Sequence, residues 1–91
     1  MTRNQAQKDL TLAAANGHTL EVVRAIELGA DVDSVVNTYT SLMRAANWGH
    51  VDTVAELITE GADMFATDKR GRTALDWARI ACRDNVAQIL E

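Results

Sequence analysis

The chain has 91 residues and a net charge of −4, and its 47% hydrophobic content includes only 4% aromatic residues. This length suits a single domain over residues 1–91, and the acidic balance argues against a nucleic-acid-binding surface across it. No apolar run approaches the roughly 18 residues of a membrane span. With no signal-peptide core and a single cysteine, the expected location is intracellular: cytoplasmic, with nuclear as the alternative.

Two segments of the chain recur with a constant offset of 32 residues. Residues 13–18 (AAANGH) return as 45–50 (AANWGH), and residues 29–31 (GAD) return as 61–63. A period of this size is typical of stacked repeats, which present an elongated surface for a partner instead of an enclosed pocket.

The first unit is predicted to be a helix, a tight turn, a second helix and an extended finger. Leu10, Ala13 and Ala14 lie at helical spacing and form the apolar face of the first helix. Val22 and Ile26 do the same for the second helix. Neither helix can bury its apolar stripe alone, so the units must stack.

The middle unit follows the same order. Thr40 is placed to cap its first helix, and Gly49 and Gly61 end the two helices because glycine tolerates the left-handed conformation. The apolar faces are supplied by Leu42, Ala45, Ala46, Val54, Leu57 and Ile58.

The third unit begins at a turn signal, Asp68–Gly71, with glycine at its fourth position. Thr73 and Asp76 resemble a capping box with Asp in place of Glu. Its apolar faces are predicted from Leu75, Ala78, Val86, Ile89 and Leu90.

The segment Asp68–Ala78 (DKRGRTALDWA) resembles the D-x-x-G-x-T-P/A-L-x-x-A opening of the ankyrin repeat family, and Gly49–Asp63 matches the family's second-helix half. The agreement in register covers roughly residues 8–91. The resemblance implies an all-α ankyrin-repeat solenoid of three helix–turn–helix units with β-hairpin-like finger loops. The repeats are expected at roughly 6–37, 38–70 and 71–91, the last one shortened.

The chain departs from the family pattern at two places. The finger between the first two units is one residue short and has Thr38 where the turn glycine usually stands, so a non-standard tip is expected over Val35–Tyr39. The third unit has Cys82 and Arg83 in place of Gly-His and a shorter approach to its second helix, which predicts a distorted turn.

Candidate catalytic and metal-binding groups favour structural roles. His18 and His50 are repeat-equivalent and would lie roughly 10 Å apart, too far for one metal ion. Asp31 and Asp63 are expected to accept backbone hydrogen bonds at the finger starts, and Cys82 is interpreted as a small packed residue. We therefore expect no enzyme activity, no metal and no cofactor, since no nucleophile, base and orienting group come together.

The aromatic residues divide into two predicted roles. Trp77 stands at the family's core leucine position and is interpreted as buried packing. The resemblance places Trp48 where side chains face the concave groove, and tryptophan is enriched at binding hot spots. The alternative for Trp48 is packing against a neighbouring unit at Asn16 or Ala81, and Tyr39 shares the binding interpretation.

A basic cluster lies on the last finger tip at Lys69, Arg70 and Arg72. It is either a solvated turn or a contact for an acidic partner, which exposed cations would steer.

The resemblance implies that the chain binds another protein through its concave face and finger tips. The predicted partner-binding residues are Val36, Asn37, Tyr39, Asn47, Trp48, Lys69, Arg70, Arg72 and Ile80. The expected partner is a protein with an acidic patch, not nucleic acid or a membrane. The alternative is an assembly role through the apolar ends, within a longer ankyrin array or a homo-oligomer; the chain is either a small protein of just sufficient length or a fragment of such an array.

Overall fold

Three helical hairpins stack side by side in the computed structural model, which describes residues 2–91. The elements within that range are α1 (Arg3–Asn16), α2 (Thr19–Glu27), β1 (Val35–Val36), β2 (Tyr39–Thr40), α3 (Ser41–Trp48), α4 (Val51–Thr59), α5 (Ala74–Ile80) and α6 (Asp84–Leu90). The first helices α1, α3 and α5 pack as one row, and the second helices α2, α4 and α6 as another. The stack is elongated, about 36 × 25 × 19 Å. The predicted ankyrin-type fold class is confirmed.

The core runs without interruption through all three hairpins. Its fully buried members include Leu10, Ala14, Val22, Leu42, Ala45, Ala46, Val54, Leu57, Ala78 and Val86. The predicted helical faces therefore supply the buried stripe. One assignment was wrong: Ile89 is 38% exposed, because the inward face of α6 is formed by its neighbours Val86, Ala87 and Leu90 instead.

Threonine side chains begin the first helix of each unit. The Thr40 hydroxyl accepts a hydrogen bond from the Met43 backbone N–H at 3.2 Å. In the third unit the Thr73 hydroxyl accepts from the Asp76 N–H, and the Asp76 carboxylate accepts in return from the Thr73 N–H at 3.0 Å. The predicted caps are confirmed.

The turn between paired helices has the same geometry in every unit. Gly17, Gly49 and Cys82 are left-handed, with φ of 73°, 75° and 59°. The N–H of the following residue donates to the carbonyl five residues back, at 2.9, 3.0 and 2.8 Å. The prediction of a distorted third turn was therefore wrong, because Cys82 accepts left-handed strain and keeps the hydrogen bond. The interpretation of Cys82 as a packed residue was wrong too, since its thiol is exposed.

The first finger is a tight antiparallel hairpin. Val35 pairs with Thr40 and Val36 with Tyr39, which leaves a two-residue tip. Both tip residues are left-handed, Asn37 at φ 54° and Thr38 at φ 74°, the requirement of a type I′ hairpin turn. The expected non-standard tip is confirmed, and the side chain of Tyr39 emerges at its base.

Two structural roles predicted for polar residues are confirmed. The Asp31 and Asp63 carboxylates each accept the backbone N–H two residues on, at 2.9 Å in both cases. The His50 Nε2–H donates to the Ala15 carbonyl oxygen at 2.9 Å. His18 differs from His50, since its side chain is exposed and within residues 2–91 it has no hydrogen-bond partner.

Candidate functional site

A cavity of about 250 Å³ lies between the first finger and helices α3 and α5. We call it the aromatic groove, and it is lined by Tyr39, Met43, Arg44, Asn47, Trp48 and Trp77. Four of these residues lie on α3 at spacings of one and four, so a single helix face supplies most of the surface. Tyr39 reaches the groove from β2, and Trp77 reaches it from the next unit.

Two aromatic rings and two guanidinium groups form one wall. The Tyr39 and Trp77 rings meet edge to face, with centroids 5.4 Å apart and planes at 87°. The Arg44 Cζ lies 5.5 Å from the Tyr39 ring centroid, and the Arg72 Cζ lies 4.2 Å from that of Trp77. Each ring thus carries a cation on its face. Because the four side chains contact one another, this wall is preformed in the unbound protein.

The two tryptophans lie in different environments, although both line the groove. Trp48 is 57% exposed at the end of α3. Trp77 packs against the core, as its interpretation as buried packing expects, although its side chain is only half-buried. Its ring lines the groove and contacts both Tyr39, edge to face, and the Arg72 guanidinium.

Two N–H donors in the groove wall are buried without a hydrogen-bond partner in the described part of the chain. They are Nε of Arg44 and Nε1 of Trp77. The Arg44 guanidinium is anchored at its other end, where Nη2 donates to the Val36 carbonyl at 2.9 Å. A buried unpaired donor costs about 1–3 kcal/mol. Both atoms are inaccessible to solvent, so a partner at the groove surface does not reach them while the wall keeps this arrangement.

The second finger is organised around a buried carboxylate. Asp68 accepts the backbone N–H groups of Arg70 and Arg72, each at 2.9 Å, and pairs with Arg72 Nε at 2.8 Å. Burial alone would raise the pKa of the Asp68 carboxyl. The hydrogen bonds from Arg72 and Arg70 and the Arg72 charge together outweigh burial and place that pKa below its ordinary value of 3.8.

The basic cluster is therefore not three equivalent free cations. Lys69 and Arg70 are exposed, whereas the Arg72 side chain is 27% exposed and paired with Asp68. The expectation of three exposed cations was wrong for Arg72, because its guanidinium lies between the Asp68 carboxylate and the Trp77 ring. A second cavity of about 120 Å³ lies beside this finger and is lined by Thr38, Tyr39, Asp68, Lys69, Arg70 and Arg72.

The predicted binding residues fall into three groups. Tyr39, Asn47 and Trp48 meet in the aromatic groove. The second group lies on the two fingers, where Asn37, Lys69 and Arg70 are exposed. The Val36 carbonyl accepts a hydrogen bond from Arg44, and the Arg72 guanidinium packs over the Trp77 ring. Ile80 is 59% exposed on α5 but does not line either cavity.

Sequence reasoning missed Met43, Arg44 and Trp77 as groove residues. Helical spacing could have found two of them, because Arg44 is four residues before Trp48 and Met43 is four before Asn47. No neighbouring residue in the sequence identifies Trp77 as a groove residue, because its position depends on a contact with Tyr39 of the first finger.

Metal-binding clusters and membrane-spanning helices are both missing from residues 2–91. In that range no group of three or more His, Cys, Asp or Glu side chains is placed to hold a metal ion. In the same part of the chain no helix is both long and apolar enough to cross a membrane.

Comparison with known proteins identifies the repeat. The family model described as ankyrin repeats, in three copies, matches residues 10–91. The Caenorhabditis elegans ankyrin repeat and KH domain-containing protein mask-1 is 33% identical over 98% of this chain and 3% of its own length. The mouse ankyrin repeat and SAM domain-containing protein 6 is 39% identical over 74% of this chain and 8% of its own length. The human ankyrin repeat and KH domain-containing protein 1 is 38% identical over 84% of this chain and 3% of its own length. The chain thus spans less than a tenth of each relative. Ankyrin repeats are generally non-catalytic protein–protein interaction modules.

Proposed function

Since this chain belongs to the ankyrin repeat family, we propose that it binds another protein through the aromatic groove and the two finger tips. Trp48 is the anchor of this interface, and Tyr39 and Asn47 line the pocket beside it. Lys69 and Arg70 form a basic rim, and the neutral Asn37 is a further contact residue. The partner segment carries acidic residues. Val36, Arg72 and Ile80 complete the proposed surface at its margins.

The exposure of Trp48 is the observation that carries the proposal. More than half of its side chain faces solvent at the mouth of an apolar cavity. A large aromatic side chain beside a preformed pocket is the arrangement of a binding hot spot. Covering it stabilises a complex by removing apolar surface from water, at about 25 cal/mol per Å².

The acidic character of the partner follows from local charge. The chain as a whole is negative, yet Arg44 lines the groove, and Lys69 and Arg70 line the cavity beside the second finger, which shares Tyr39 with the groove. Asp68 is already paired with Arg72. A local positive field on a negative molecule directs encounter to this face.

The test is selection of peptides from a displayed library on the wild-type chain, with Trp48→Ala and Phe65→Ala as paired variants. Phe65 is 81% exposed and lies outside both groove cavities, so it controls for loss of an exposed aromatic ring. Tyr39→Ala is unsuitable, because Tyr39 supports Trp77. We expect Asp- or Glu-containing peptides that bind wild type and Phe65→Ala and lose at least tenfold affinity with Trp48→Ala. Peptides equally retained by Trp48→Ala, or lacking acidic residues, would contradict the proposal.

We also propose that residues 1–91 form one domain, with repeats near 6–37, 38–70 and 71–91. We further propose that the protein lies inside the cell, in the cytoplasm or nucleus. The unbroken core across the three hairpins supports the first statement. The exposed, unpaired thiol of Cys82 supports the second, since reducing compartments keep such thiols free.

A further inference from the structure

The cavity beside the second finger is small, polar and shared between the two fingers. Its volume is about 120 Å³, against about 250 Å³ for the aromatic groove. We call it the inter-finger cavity. The first finger contributes Thr38 and Tyr39 to its lining, and the second contributes Asp68, Lys69, Arg70 and Arg72. Because Tyr39 lines both cavities, an extended segment that lies over this ring reaches both of them.

The lining of the inter-finger cavity has an excess of positive charge. Three cations face one anion there, which leaves two positive charges for a ligand. The anion is Asp68, whose side chain is only 1% exposed. Its carboxylate oxygens already accept hydrogen bonds from the Arg70 and Arg72 backbone N–H groups and from Arg72 Nε. Asp68 therefore occupies the Arg72 charge and leaves the other two cations available.

Those two cations are free to bind a ligand. Lys69 and Arg70 are exposed, and neither side chain has an ion-pair partner within residues 2–91. An ammonium group has three N–H donors and a guanidinium group has five. Thr38 and Tyr39, which line the opposite side of the cavity, each carry a hydroxyl group. The cavity thus combines two mobile cations with further hydrogen-bonding groups around a space that admits one small anion.

Charge and the number of donors favour phosphate over carboxylate as that anion. A carboxylate carries one negative charge and two acceptor oxygens. A phosphorylated side chain carries about −1.5 to −2 charges at pH 7 and three strong acceptor oxygens, so it matches two free cations. Clustered basic side chains are the usual means by which proteins recognise phosphorylated residues. The small volume suits the short side chain of phosphothreonine or phosphoserine better than the ring of phosphotyrosine.

We propose that the inter-finger cavity binds a phosphothreonine or phosphoserine side chain of the partner, while the aromatic groove holds an apolar residue of the same segment. This assignment rests on the proposed function, because the phosphate belongs to the segment that the groove binds. Lys69 and Arg70 contact the phosphate, and Tyr39 separates the phosphorylated residue from the apolar one. Phosphorylation of the partner therefore strengthens the complex, and dephosphorylation weakens it.

The test measures the binding of three pools of short degenerate peptides by fluorescence anisotropy, at micromolar to millimolar protein concentration. The pools differ only at the central position, which is phosphothreonine, threonine or glutamate. Lys69→Ala/Arg70→Ala removes the two free cations. Lys8→Ala/Arg24→Ala is the matched control, because it removes the same charge from exposed positions on α1 and α2 that line neither cavity. Circular dichroism checks that each variant is folded.

The expected result is a preference for phosphothreonine that depends on the second finger. Wild type and the control variant should bind the phosphothreonine pool at least tenfold more tightly than the threonine pool and at least fivefold more tightly than the glutamate pool. Lys69→Ala/Arg70→Ala should bind the phosphothreonine and threonine pools equally. Equal affinity of wild type for the phosphothreonine and glutamate pools would overturn the proposal, and so would a preference that survives Lys69→Ala/Arg70→Ala.

Trp48→Ala separates this proposal from the proposed function. If both are correct, Trp48→Ala weakens the binding of every pool and keeps the preference for phosphothreonine. Binding that depends on Trp48 but shows no phosphothreonine preference would overturn the phosphate site and leave the groove as the binding surface. A phosphothreonine preference with no effect of Trp48→Ala would contradict the role of the groove instead. The absence of binding to all three pools would overturn both proposals.

Discussion

Replacing Gly17 by alanine perturbs two features of the first turn at once. Gly17 is left-handed at φ 73°, and the added Cβ would lie 2.6 Å from Nδ1 of the His50 ring. The ring must move, and it then loses the hydrogen bond from Nε2 to the Ala15 carbonyl. Gly71 is the matched control, because its φ is 77° and a Cβ added there would meet no atom within 4 Å beyond its own chain neighbours.

The magnitude follows from adding these contributions. The left-handed conformation costs an alanine about 1–2 kcal/mol, and both variants incur this cost. Losing the His50 hydrogen bond removes about 0.5–1.5 kcal/mol more from Gly17→Ala, and displaced packing adds to this. We therefore expect Gly71→Ala to lower the free energy of unfolding by about 1–2 kcal/mol and Gly17→Ala by about 2–4 kcal/mol.

Urea unfolding followed by circular dichroism measures both changes, and a double-mutant cycle isolates the contact. In a His50→Ala background, Gly17→Ala should cost no more than Gly71→Ala, because the ring it displaces is gone. If Gly17→Ala and Gly71→Ala destabilise the wild-type background equally, the reasoning about the unit-to-unit contact is refuted. An undiminished penalty in the His50→Ala background would refute it as well.

Two further predictions concern the groove and the second finger. Trp48→Ala should cost less than about 1 kcal/mol of unfolding free energy, because its side chain is largely exposed, whereas Trp77→Ala should cost about 2–3 kcal/mol through lost packing and its edge-to-face contact. Equal losses in urea unfolding would show that Trp48 belongs to the core. The lowered pKa of Asp68 means that its carboxylate contributes fully to stability above pH 3.8 and loses that contribution as the pH falls below it. Urea midpoints between pH 5 and 3 should therefore fall more steeply for wild type than for Asp68→Asn, and parallel profiles would contradict the assignment.

Much of the fold could be predicted because its signals are local. The caps at Thr40 and Thr73 and the turn glycines each act within one or two helical turns, and the 32-residue offset repeats these local signals along the chain. The wrong prediction of a distorted turn at Cys82 also came from a local rule. A rule that expects glycine in a left-handed turn predicts distortion, but one hydrogen bond from Arg83 to Ala78 at 2.8 Å maintains the turn.

The candidate site was only partly predictable. Tyr39, Asn47 and Trp48 were identified from their places in the repeat, and the structure brings them together. Their role in binding stays a prediction. The contributions of Arg44 and Trp77 were missed, because each depends on a finger that packs against it from outside its own helix.

Residue order along the chain accounts for the number of hairpins, the position of their turns and the stripe of small apolar residues that joins them. These features depend on backbone conformation and helical period, which a few neighbouring residues determine. Packing between units settles which tryptophan is free, and the fold of the second finger settles which cation is paired. Trp77 and Arg72 are held by Tyr39 and Asp68, whereas Trp48 lies at a helix end that nothing within residues 2–91 encloses. Exposure and pairing are properties of neighbours in space: Tyr39 reaches Trp77 from another unit, and Asp68 reaches Arg72 only because the second finger folds back on itself.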